Sequence, residues 1–439
     1  MLTRSQAVTP TVETTMAAGP ATFSKHLKRF APGVTPAALV SGDGCEVVDV
    51  DGNVYIDTIG ALGAVLLGYK NCAVDAAVHR QIDRGVAFSL MHECEVQVAE
   101  RLCGMLPWVD QVRFSLNGAD ACNSAIKIAR AATGKDHVLF CGFHGGTDSY
   151  MSTTGMDAGL LPCLKEFNHQ YRWGEWDTVR GDLEAYHQQG RGGVAALMLE
   201  VPPPPWTAPP AELFQQLHEV WHWCRKYETL FILDEVVTGI RYGLQGAAGA
   251  YGVWPDLVCL GKALANGYPL SVVGGPRLLM DTIAARGVFA STTHGGNALG
   301  LAAAAATLDE VQQTPALQRL HAAGFRLGTE LHGLFAAMNL PARVLGTPSR
   351  LILQWHAVPG VATAQQLKTL WMHTNIQQGV LHGGPLFPTA AMTEEHCQRI
   401  MTAAWYAAAV ITERLNSHTI EDALPYGAVE SDVFAQRYR

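Results

Sequence analysis

Four short apolar runs in the middle of the chain are each followed by side chains that could do chemistry. The residues that follow these runs are Phe143 with His144, Glu200, Asp234 and Lys262. Taken singly, each has an ordinary explanation, such as a surface lysine, an aspartate in a turn or an aromatic ring in the core. Ligands of open parallel sheets bind beyond the carboxyl ends of the strands. The shared placement therefore predicts that these side chains meet in one crevice.

A lysine, a carboxylate and an aromatic ring in one crevice are typical of a site for pyridoxal 5′-phosphate (PLP). Lys262 would form a Schiff base with the cofactor and afterwards move protons as an acid–base. Asp234 would keep the pyridine nitrogen protonated, so that the ring can take up electrons, and Phe143 would stack on that ring. The cofactor's phosphate suits a helix N-terminus, and Asn117-Gly118-Ala119 opens a predicted helix, although an ordinary N-cap is the alternative there.

Other common cofactor and nucleophile sites are excluded by spacing. The pair Gly261-Lys262 is followed by alanine and lacks the earlier glycine of a phosphate-binding Walker A loop. The sequence contains no Gly-x-Gly-x-x-Gly after a predicted strand and no Gly-x-Ser-x-Gly elbow. The sequence contains no Cys-x-x-Cys pair either, and we predict no metal site.

The elements that must position these residues alternate between buried strands and helices. Continuous apolar runs of four to six residues suit strands that are buried on both faces, as in a parallel sheet. With helical patterns between them, they predict an α/β domain. The predicted strands are 137–141, 194–199, 230–233 and 257–260, and the predicted helices around them are 119–132 and 211–227.

A second, smaller domain is predicted from the two ends of the chain. Residues 44–57 alternate around the turn Asp51-Gly52-Asn53 and indicate a β-hairpin. A helix over 316–338, a strand over 350–355 and a helix around 394–415 follow the large domain, and the proline run 202–205 is predicted to be an extended loop over the sheet. The predicted organisation is a flexible segment 1–22, a small-domain segment 23–70, a large domain 71–313 and the rest of the small domain 314–439.

Composition excludes several classes of protein. The 439 residues include 48% hydrophobic and only 16% charged residues, which is typical of a compact enzyme. With a net charge of −8 and no basic run, the chain is not predicted to bind nucleic acid or a membrane. The sequence shows no signal peptide and no apolar stretch long enough to span a bilayer. Ten cysteines without a Cys-x-x-Cys pair favour a cytoplasmic location.

Several motifs in a fixed order resemble one family. They are VRFSLNGADACNSAIKIARAATG, FHGG, LFILDEVVTGIR, DLVCLGKALANGYPLSVVGG and TTHGGNALGLAAA, within about Pro32 to about Arg414. These motifs are similar to those of the class III aminotransferases of the fold-type I PLP superfamily, and within it to the glutamate-1-semialdehyde aminomutase branch. The resemblance implies an α/β fold with a large, mostly parallel sheet domain and a smaller α+β domain.

The resemblance also implies roles for individual residues around the cofactor ring. Lys262 would be the Schiff-base lysine and Asp234 the partner of the pyridine nitrogen. Phe143 would stack on one face of the ring, and Val236 would pack on the other.

Further positions match the family around the phosphate and the edge of the site. Gly118 and Ala119 would offer backbone N–H groups to the phosphate, and Thr293 would reach the phosphate of a neighbouring subunit. The last role implies a homodimer with active sites at the interface. Glu200 and His144 match family positions near the cofactor and are expected to have supporting roles.

Departures from the family pattern bear on the substrate. The phosphate turn, usually Ser-Gly-Thr or Ser-Gly-Ser, has Ala119 in place of the hydroxyl residue. Two stretches in which relatives carry a carboxylate-binding arginine, 33–38 and 378–389, contain none. An α-carboxylate substrate would favour such a bidentate partner. Arg241 and Arg350 could contact a carboxylate, although structural ion pairs are the alternative.

Three functions remain open at this point. The first is an aminotransferase that moves an amino group from an amine donor to a ketone or aldehyde, such as a keto-sugar, by a ping-pong mechanism. The second is a PLP-dependent aminomutase, epimerase or racemase, which the same lysine and carboxylate would serve. The third is a catalytically dead relative that acts as a binding protein.

Overall fold

The computed structural model describes residues 3–187, 189–207 and 210–429, which divide into two compact units. The larger unit consists of residues 72–187, 189–202 and 210–315. The smaller unit consists of residues 3–71, 203–207 and 316–429. The segment 203–207 belongs to the smaller unit, although it lies within the range 71–313 predicted for the large domain.

The described residues form three sheets. Their strands are β1 (Leu39–Asp43), β2 (Glu46–Asp49), β3 (Val54–Asp57), β4 (Gln111–Ser115), β5 (His137–Cys141), β6 (Asn168–Gln170), β7 (Val194–Leu199), β8 (Leu230–Glu235), β9 (Leu257–Leu260), β10 (Ser271–Gly275), β11 (Ala342–Thr347), β12 (Arg350–Trp355), β13 (Val380–Leu381) and β14 (Pro385–Leu386).

The larger unit is built on a seven-stranded sheet of order β4-β10-β9-β8-β7-β5-β6. Strands β6, β5, β7, β8 and β9 pair in parallel, whereas β10 is antiparallel to both of its neighbours. The predicted α/β fold with a large, mostly parallel sheet is therefore confirmed. Because all residues of β7 are buried, the strand has no polar face, and this explains its unbroken apolar sequence.

Helices cover this sheet and the smaller unit. Those of eleven residues or more are Thr3–Thr15, Cys72–Ile82, Glu93–Met105, Gly118–Thr133, Trp176–Tyr186, Pro210–Lys226, Ala298–Gln313, Ala316–Ala337, Ala364–Gln377 and Glu394–Ser417. Shorter helical segments are Gly60–Gly63, Asp148–Met151, Leu164–Phe167, Gly239–Tyr242, Gly246–Tyr251, Arg277–Met280 and Thr282–Ala285.

The two faces of the large sheet bury alternate residues of each strand. Leu139 and Leu197 belong to a core cluster that includes residues of the helices Trp176–Tyr186 and Pro210–Lys226. Their chain neighbours Val138 and Met198 belong to another cluster that includes residues of the helix Gly118–Thr133. This alternation with period two leaves the carboxyl ends of the strands as the place where polar side chains emerge.

The smaller unit contains a four-stranded sheet of order β1-β2-β3-β13 and a three-stranded sheet of order β11-β12-β14. The predicted hairpin is present, and the Asp49 carboxylate closes its turn by accepting the N–H groups of Asp51 and Asn53 at 2.8 and 2.9 Å. Within the smaller unit, Pro204 O of the proline run accepts the Gly346 N–H of β11 at 2.6 Å, so the segment 203–207 lies along this strand.

The segment 1–22, predicted to be flexible, contains the helix Thr3–Thr15. The Asp51 carboxylate accepts the N–H groups of Arg4 and Ser5 at its N-terminus, at 2.6 and 3.0 Å. A carboxylate at a helix N-terminus accepts hydrogen bonds from the free N–H groups there and interacts favourably with the positive end of the helix dipole. The capping carboxylate comes from a residue 46 positions away from Ser5, so no local pattern could reveal it.

Candidate active site

The carboxyl ends of β5, β7, β8 and β9 lie along one edge of the large sheet, because these strands are parallel neighbours. Phe143 and His144 follow β5, Glu200 follows β7, and Lys262 follows β9 after one glycine. Strand β8 continues two residues beyond the predicted end, so Asp234 lies within it and pairs in register with Cys259.

Asp234 is buried at this edge, where its two oxygens have different partners. Oδ2 lies 2.8 Å from His144 Nδ1 and 3.5 Å from Cys122 Sγ. Oδ1 accepts the Val236 N–H at 3.0 Å. A buried carboxylate is costly unless its oxygens are hydrogen-bonded, and these donors supply that stabilisation.

His144 is oriented by the carboxylate that it contacts. A carboxylate has no proton to donate when it is ionised, so Nδ1 carries the hydrogen and the ring is held in one tautomer. The ring packs against the edge of Tyr150, with 5.3 Å between centroids and 81° between planes. Its Nε2 is buried and has no hydrogen-bond partner among the described residues.

Glu200 and Phe143 are joined through the backbone. The Phe143 N–H donates to Glu200 Oε2 at 3.3 Å. Gly142 adopts a φ of +124°, and a Cβ there would lie 2.6 Å from the Glu200 Cβ, so glycine is required at this turn. Tyr150 closes the group, since its hydroxyl donates to Gly142 O at 2.8 Å.

The N-terminus of the helix Gly118–Thr133 opens toward the same group of residues. Asn117 caps the helix by accepting the Asp120 N–H at 3.0 Å. Among the described residues, the N–H groups of Gly118 and Ala119 have no hydrogen-bond acceptor. Two backbone donors on a helix N-terminus are a favourable place for an anion.

Close packing shows that this helix start lies beside the ends of β8 and β9. A Cβ added to Gly118 would lie 2.7 Å from Val236 Cγ1, and one added to Gly261 would lie 3.4 Å from the same atom. A Cβ at Gly145 would lie 2.6 Å from the Ala119 Cβ. The Val236 side chain thus lies next to both Gly118 and Gly261, and the turn after His144 lies against Ala119.

Lys262 is half-buried and begins a single 3-10 turn over Lys262–Ala265. Its φ of +45° lies in the left-handed region, which costs a non-glycine residue roughly 1 kcal/mol. Such strain is found preferentially at functional sites. The flanking Gly261 has an extended backbone and brings the lysine next to Val236.

Thr293 is the one candidate that the structure leaves apart from the others. It is exposed in the turn before the helix Ala298–Gln313. Within the ranges that the structure describes, no hydrogen bond, ion pair or ring contact joins Thr293 to the other eight candidate residues. A role toward a second subunit requires this exposure.

Two buried charged residues near this edge have other surroundings. The Glu235 carboxylate accepts from Thr238 Oγ1, Ala247 N and Ala248 N at 2.7 to 2.8 Å, and burial raises its pKa. Arg241 is fully buried, and desolvation lowers its pKa to about 9. Arg350 lies in β12 of the smaller unit. In the described part of the chain, no group of three or more His, Cys, Asp and Glu side chains is placed to hold a metal ion.

Sequence reasoning missed three residues of the site. Cys122 contacts Asp234, Tyr150 contacts Gly142, and Ser271 contacts both Ser115 Oγ at 2.8 Å and the carbonyl oxygen before Gly118. Only Cys122 could have been found from the sequence. It lies four residues after the candidate Gly118 in a predicted helix, and residues four apart share a helix face. The other two contacts join segments that are distant in sequence.

Comparisons with known proteins show which family this chain resembles in sequence and fold. A family model described as aminotransferase class-III matches residues 30–400. The chain is 32% identical over 318 residues to a glutamate-1-semialdehyde 2,1-aminomutase of Methylacidiphilum infernorum (isolate V4), which covers 70% of this chain and 72% of the relative. It is also 32% identical over 327 residues to a 3-aminobutyryl-CoA aminotransferase of Cloacimonas acidaminovorans (strain Evry), with 73% and 76% covered. The fold is similar to the PLP internal aldimine form of FumI from Sphingopyxis sp. MTA144, with a TM-score of 0.84, 24% identity and 94% and 98% coverage.

Proposed function

Because this chain belongs to the class III aminotransferases, whose cofactor is PLP, we propose that it transfers an amino group from an amine donor to a ketone or aldehyde through the residues at the carboxyl edge of its large sheet. The observation that carries the proposal is the pairing of Asp234 with His144 at 2.8 Å, one strand away from Lys262. An oriented carboxylate beside a lysine is the minimum that this chemistry requires.

The residues present fit the cofactor. The N–H groups of Gly118 and Ala119, at the start of a helix, suit its phosphate, and Phe143 and Val236 supply apolar surfaces for its ring. Asp234 suits the pyridine nitrogen, because within the described residues its Oδ1 accepts only the Val236 N–H and can accept another hydrogen bond. The lost hydroxyl at Ala119 removes one side-chain contact and leaves the backbone donors in place.

Each of these residues has a task in the reaction. When bound, PLP supplies an electron sink for the electrons left by a departing proton. Lys262 Nζ would hold the cofactor and then carry the proton that leaves and returns to the substrate carbon. Asp234 would keep the pyridine nitrogen protonated, and His144 would hold Asp234 in orientation. The buried Glu200 would hold the turn that carries Phe143.

The substrate need not carry an α-carboxylate. Residues 33–38 and 378–389 contain no arginine, and Arg241 is fully buried, which supports a structural role for it. The aminotransferase of Cloacimonas is named for a substrate whose carboxyl group is a thioester, which is consistent with this proposal. A keto-sugar or another polar carbonyl compound is one candidate acceptor.

We propose that the protein functions as a homodimer with active sites at its interface. Val86, Phe88, Leu90 and Met91 expose 41%, 48%, 85% and 66% of their surface, an unusual amount for a run of apolar residues. The run lies beside the turn that carries Thr293, because Ala298 N donates to Val86 O at 3.2 Å. A partner that covers this run would bring Thr293 toward the partner's site.

The dimer is tested with one substitution in the exposed run and one elsewhere. Leu90→Glu is expected to shift the protein to monomers in analytical ultracentrifugation and to weaken PLP binding. Phe325→Glu, at a residue that is 61% exposed, is the control and is expected to change neither. A Leu90→Glu protein that stays dimeric contradicts this interface.

The activity is tested by following the absorbance of the bound cofactor while candidate amine donors are added. A donor is expected to bleach the visible band, and a carbonyl acceptor is expected to restore it. Borohydride is expected to attach the cofactor to Lys262, as seen by peptide mass, and Lys262→Ala is expected to abolish both signals. If no donor bleaches the band, transamination is wrong.

A second function is favoured by the similarity to an aminomutase at 32% identity. Turnover of a single substrate without any added carbonyl acceptor would support an aminomutase, an epimerase or a racemase. A Lys262→Ala protein that keeps its full biological effect would instead support a binding role.

The cellular location is proposed from the cysteine pattern. The described structure has no helix that is long and apolar enough to cross a membrane. Its cysteines are free thiols, two of them exposed, and these suit a reducing cytoplasm.

A further inference from the structure

A buried thiol contacts Asp234, the carboxylate that the proposed function pairs with the pyridine nitrogen of PLP. Cys122 lies in the helix Gly118–Thr133, is 1% exposed and places its Sγ 3.5 Å from Asp234 Oδ2. Asp234 itself is 4% exposed. Two groups that are both shielded from water interact more strongly than they would at the surface.

The thiol is the donor in this contact. A hydrogen bond with Cys259, burial and the nearby charge of Asp234 all raise the pKa of Cys122 well above its usual value, so the sulfur keeps its proton. An ionised carboxylate can only accept hydrogen bonds. The Cys122 S–H therefore points its hydrogen at either Asp234 or Cys259, and the Asp234 oxygen is the stronger acceptor.

Cys122 and His144 act on the same oxygen. Both donors lie on Oδ2, at 3.5 and 2.8 Å, whereas Oδ1 accepts only the Val236 N–H among the described residues. Donors from two directions restrict the rotation of the carboxylate about its terminal bond. That restriction leaves Oδ1 as the oxygen with capacity for a further donor.

We propose that Cys122 is a positioning residue, whose thiol holds the Asp234 carboxylate so that Oδ1 receives the pyridinium N–H of PLP. The inference rests on the proposed role of Asp234. Because Gly118 and Cys122 are one helical turn apart, the same helix would offer its N-terminal N–H groups to the phosphate and its thiol to Asp234. The helix would thereby set the distance between the two ends of the cofactor site.

The test compares three cysteine variants of the full-length protein. Cys122→Ala removes the donor, Cys122→Ser retains one, and Cys224→Ala removes the same atoms from another fully buried cysteine in the helix Pro210–Lys226. Cys122→Ala is expected to bind PLP about threefold to tenfold more weakly than Cys224→Ala, because one hydrogen bond from a weak thiol donor is lost. Cys122→Ser is expected to stay within about twofold of the wild type.

A spectroscopic signature separates positioning from packing. With PLP labelled at the ring nitrogen, the ¹⁵N chemical shift is expected to move toward the unprotonated value in Cys122→Ala and to return in Cys122→Ser. The rate constant kcat is expected to fall with the shift while KM changes little. Thermal unfolding of the apo-proteins shows whether each variant is folded before it is compared.

Asp234→Asn separates this inference from the proposed function. If wild type and Asp234→Asn bind PLP equally, the proposed role of Asp234 is wrong. If Asp234→Asn binds more weakly than wild type but Cys122→Ala equals Cys224→Ala in affinity and ¹⁵N shift, Cys122 has no positioning role. A Cys122→Ser protein as defective as Cys122→Ala, while folded, overturns the inference as well.

Discussion

Two buried aspartates, Asp57 in the smaller unit and Asp234 in the larger, share one local arrangement. Each lies at or next to the last residue of a strand and accepts the N–H of the residue two positions later, at 2.7 Å for Ile59 and 3.0 Å for Val236. Each also receives a hydrogen bond from a ring, Tyr69 at 2.6 Å and His144 at 2.8 Å. The two carboxylates differ in what else surrounds them.

Asp57 holds a strained turn. Its carboxylate accepts from the backbone of Gly60 and Ala61 besides Ile59, and the next residues, Ala61 and Leu62, both have left-handed backbones with φ of 50° and 60°. Burial raises the pKa of Asp57, although these hydrogen bonds oppose the effect. Backbone donors use up the acceptor capacity of this carboxylate, so its role is structural.

Asp234 keeps acceptor capacity on one oxygen and lies one strand from a lysine. The comparison shows that a buried, doubly anchored carboxylate does not by itself indicate catalysis. What distinguishes Asp234 is its place at the carboxyl edge of a parallel sheet, where neighbouring strands bring other functional groups.

The largest effect is expected at the catalytic member of the pair. Asp234→Asn keeps the size of the side chain but removes the charge that holds the pyridine nitrogen protonated, so transamination is expected to fall by about 10²- to 10³-fold. The free energy of unfolding of the apo-protein, measured with urea, is expected to change much less than for Asp57→Asn. A variant that retains a tenth of the activity contradicts the catalytic role.

Acidification is expected to lower the free energy of unfolding through His382, a residue near the structural carboxylate Asp57. His382 follows Leu381, which pairs in register with Asp57, and burial lowers the pKa of His382 from 6.5 to about 4. Below pH 6.5 the His382 ring binds a proton in the unfolded chain but not in the native chain. The free energy of unfolding is therefore highest above pH 6.5 and falls as the pH approaches 4. The loss from this residue is about 3 kcal/mol over that window.

Urea unfolding at a series of pH values measures this loss. His382→Gln cannot titrate, so its unfolding free energy is expected to depend less on pH between 6.5 and 4 than that of the wild type. Equal pH dependence in both proteins would show that His382 is not the group responsible.

The smallest effect is expected from one hydroxyl of the structural member. Tyr69→Phe removes a donor to Asp57 and is expected to lower the free energy of unfolding by about 1 kcal/mol. The PLP affinity is expected to stay unchanged, in contrast to Cys122→Ala. Tyr406→Phe, at a residue that is 48% exposed, serves as the control with no expected change.

Much of the larger unit could be predicted from local patterns. The strands 137–141, 194–199 and 257–260 have the predicted bounds, because a strand buried on both faces is a continuous apolar run. The helix predicted over 119–132 spans Gly118–Thr133, with Asn117 as its cap and Gly134 in the left-handed conformation past its end. Local patterns did not reveal the partners of the segment 1–22 and of the proline run, because these partners are distant in sequence.

The sequence by itself determined which chemistry is available: a lysine, carboxylates and a helix start follow the strands in an order that one family shares. These are local properties, since strand ends and helix caps depend on a few neighbouring residues. Only the tertiary structure decided that Asp234 Oδ2 receives both His144 and Cys122, which are 90 and 112 positions away. Such contacts depend on the pairing of whole strands, and no local spacing encodes the distance between two side chains on different elements.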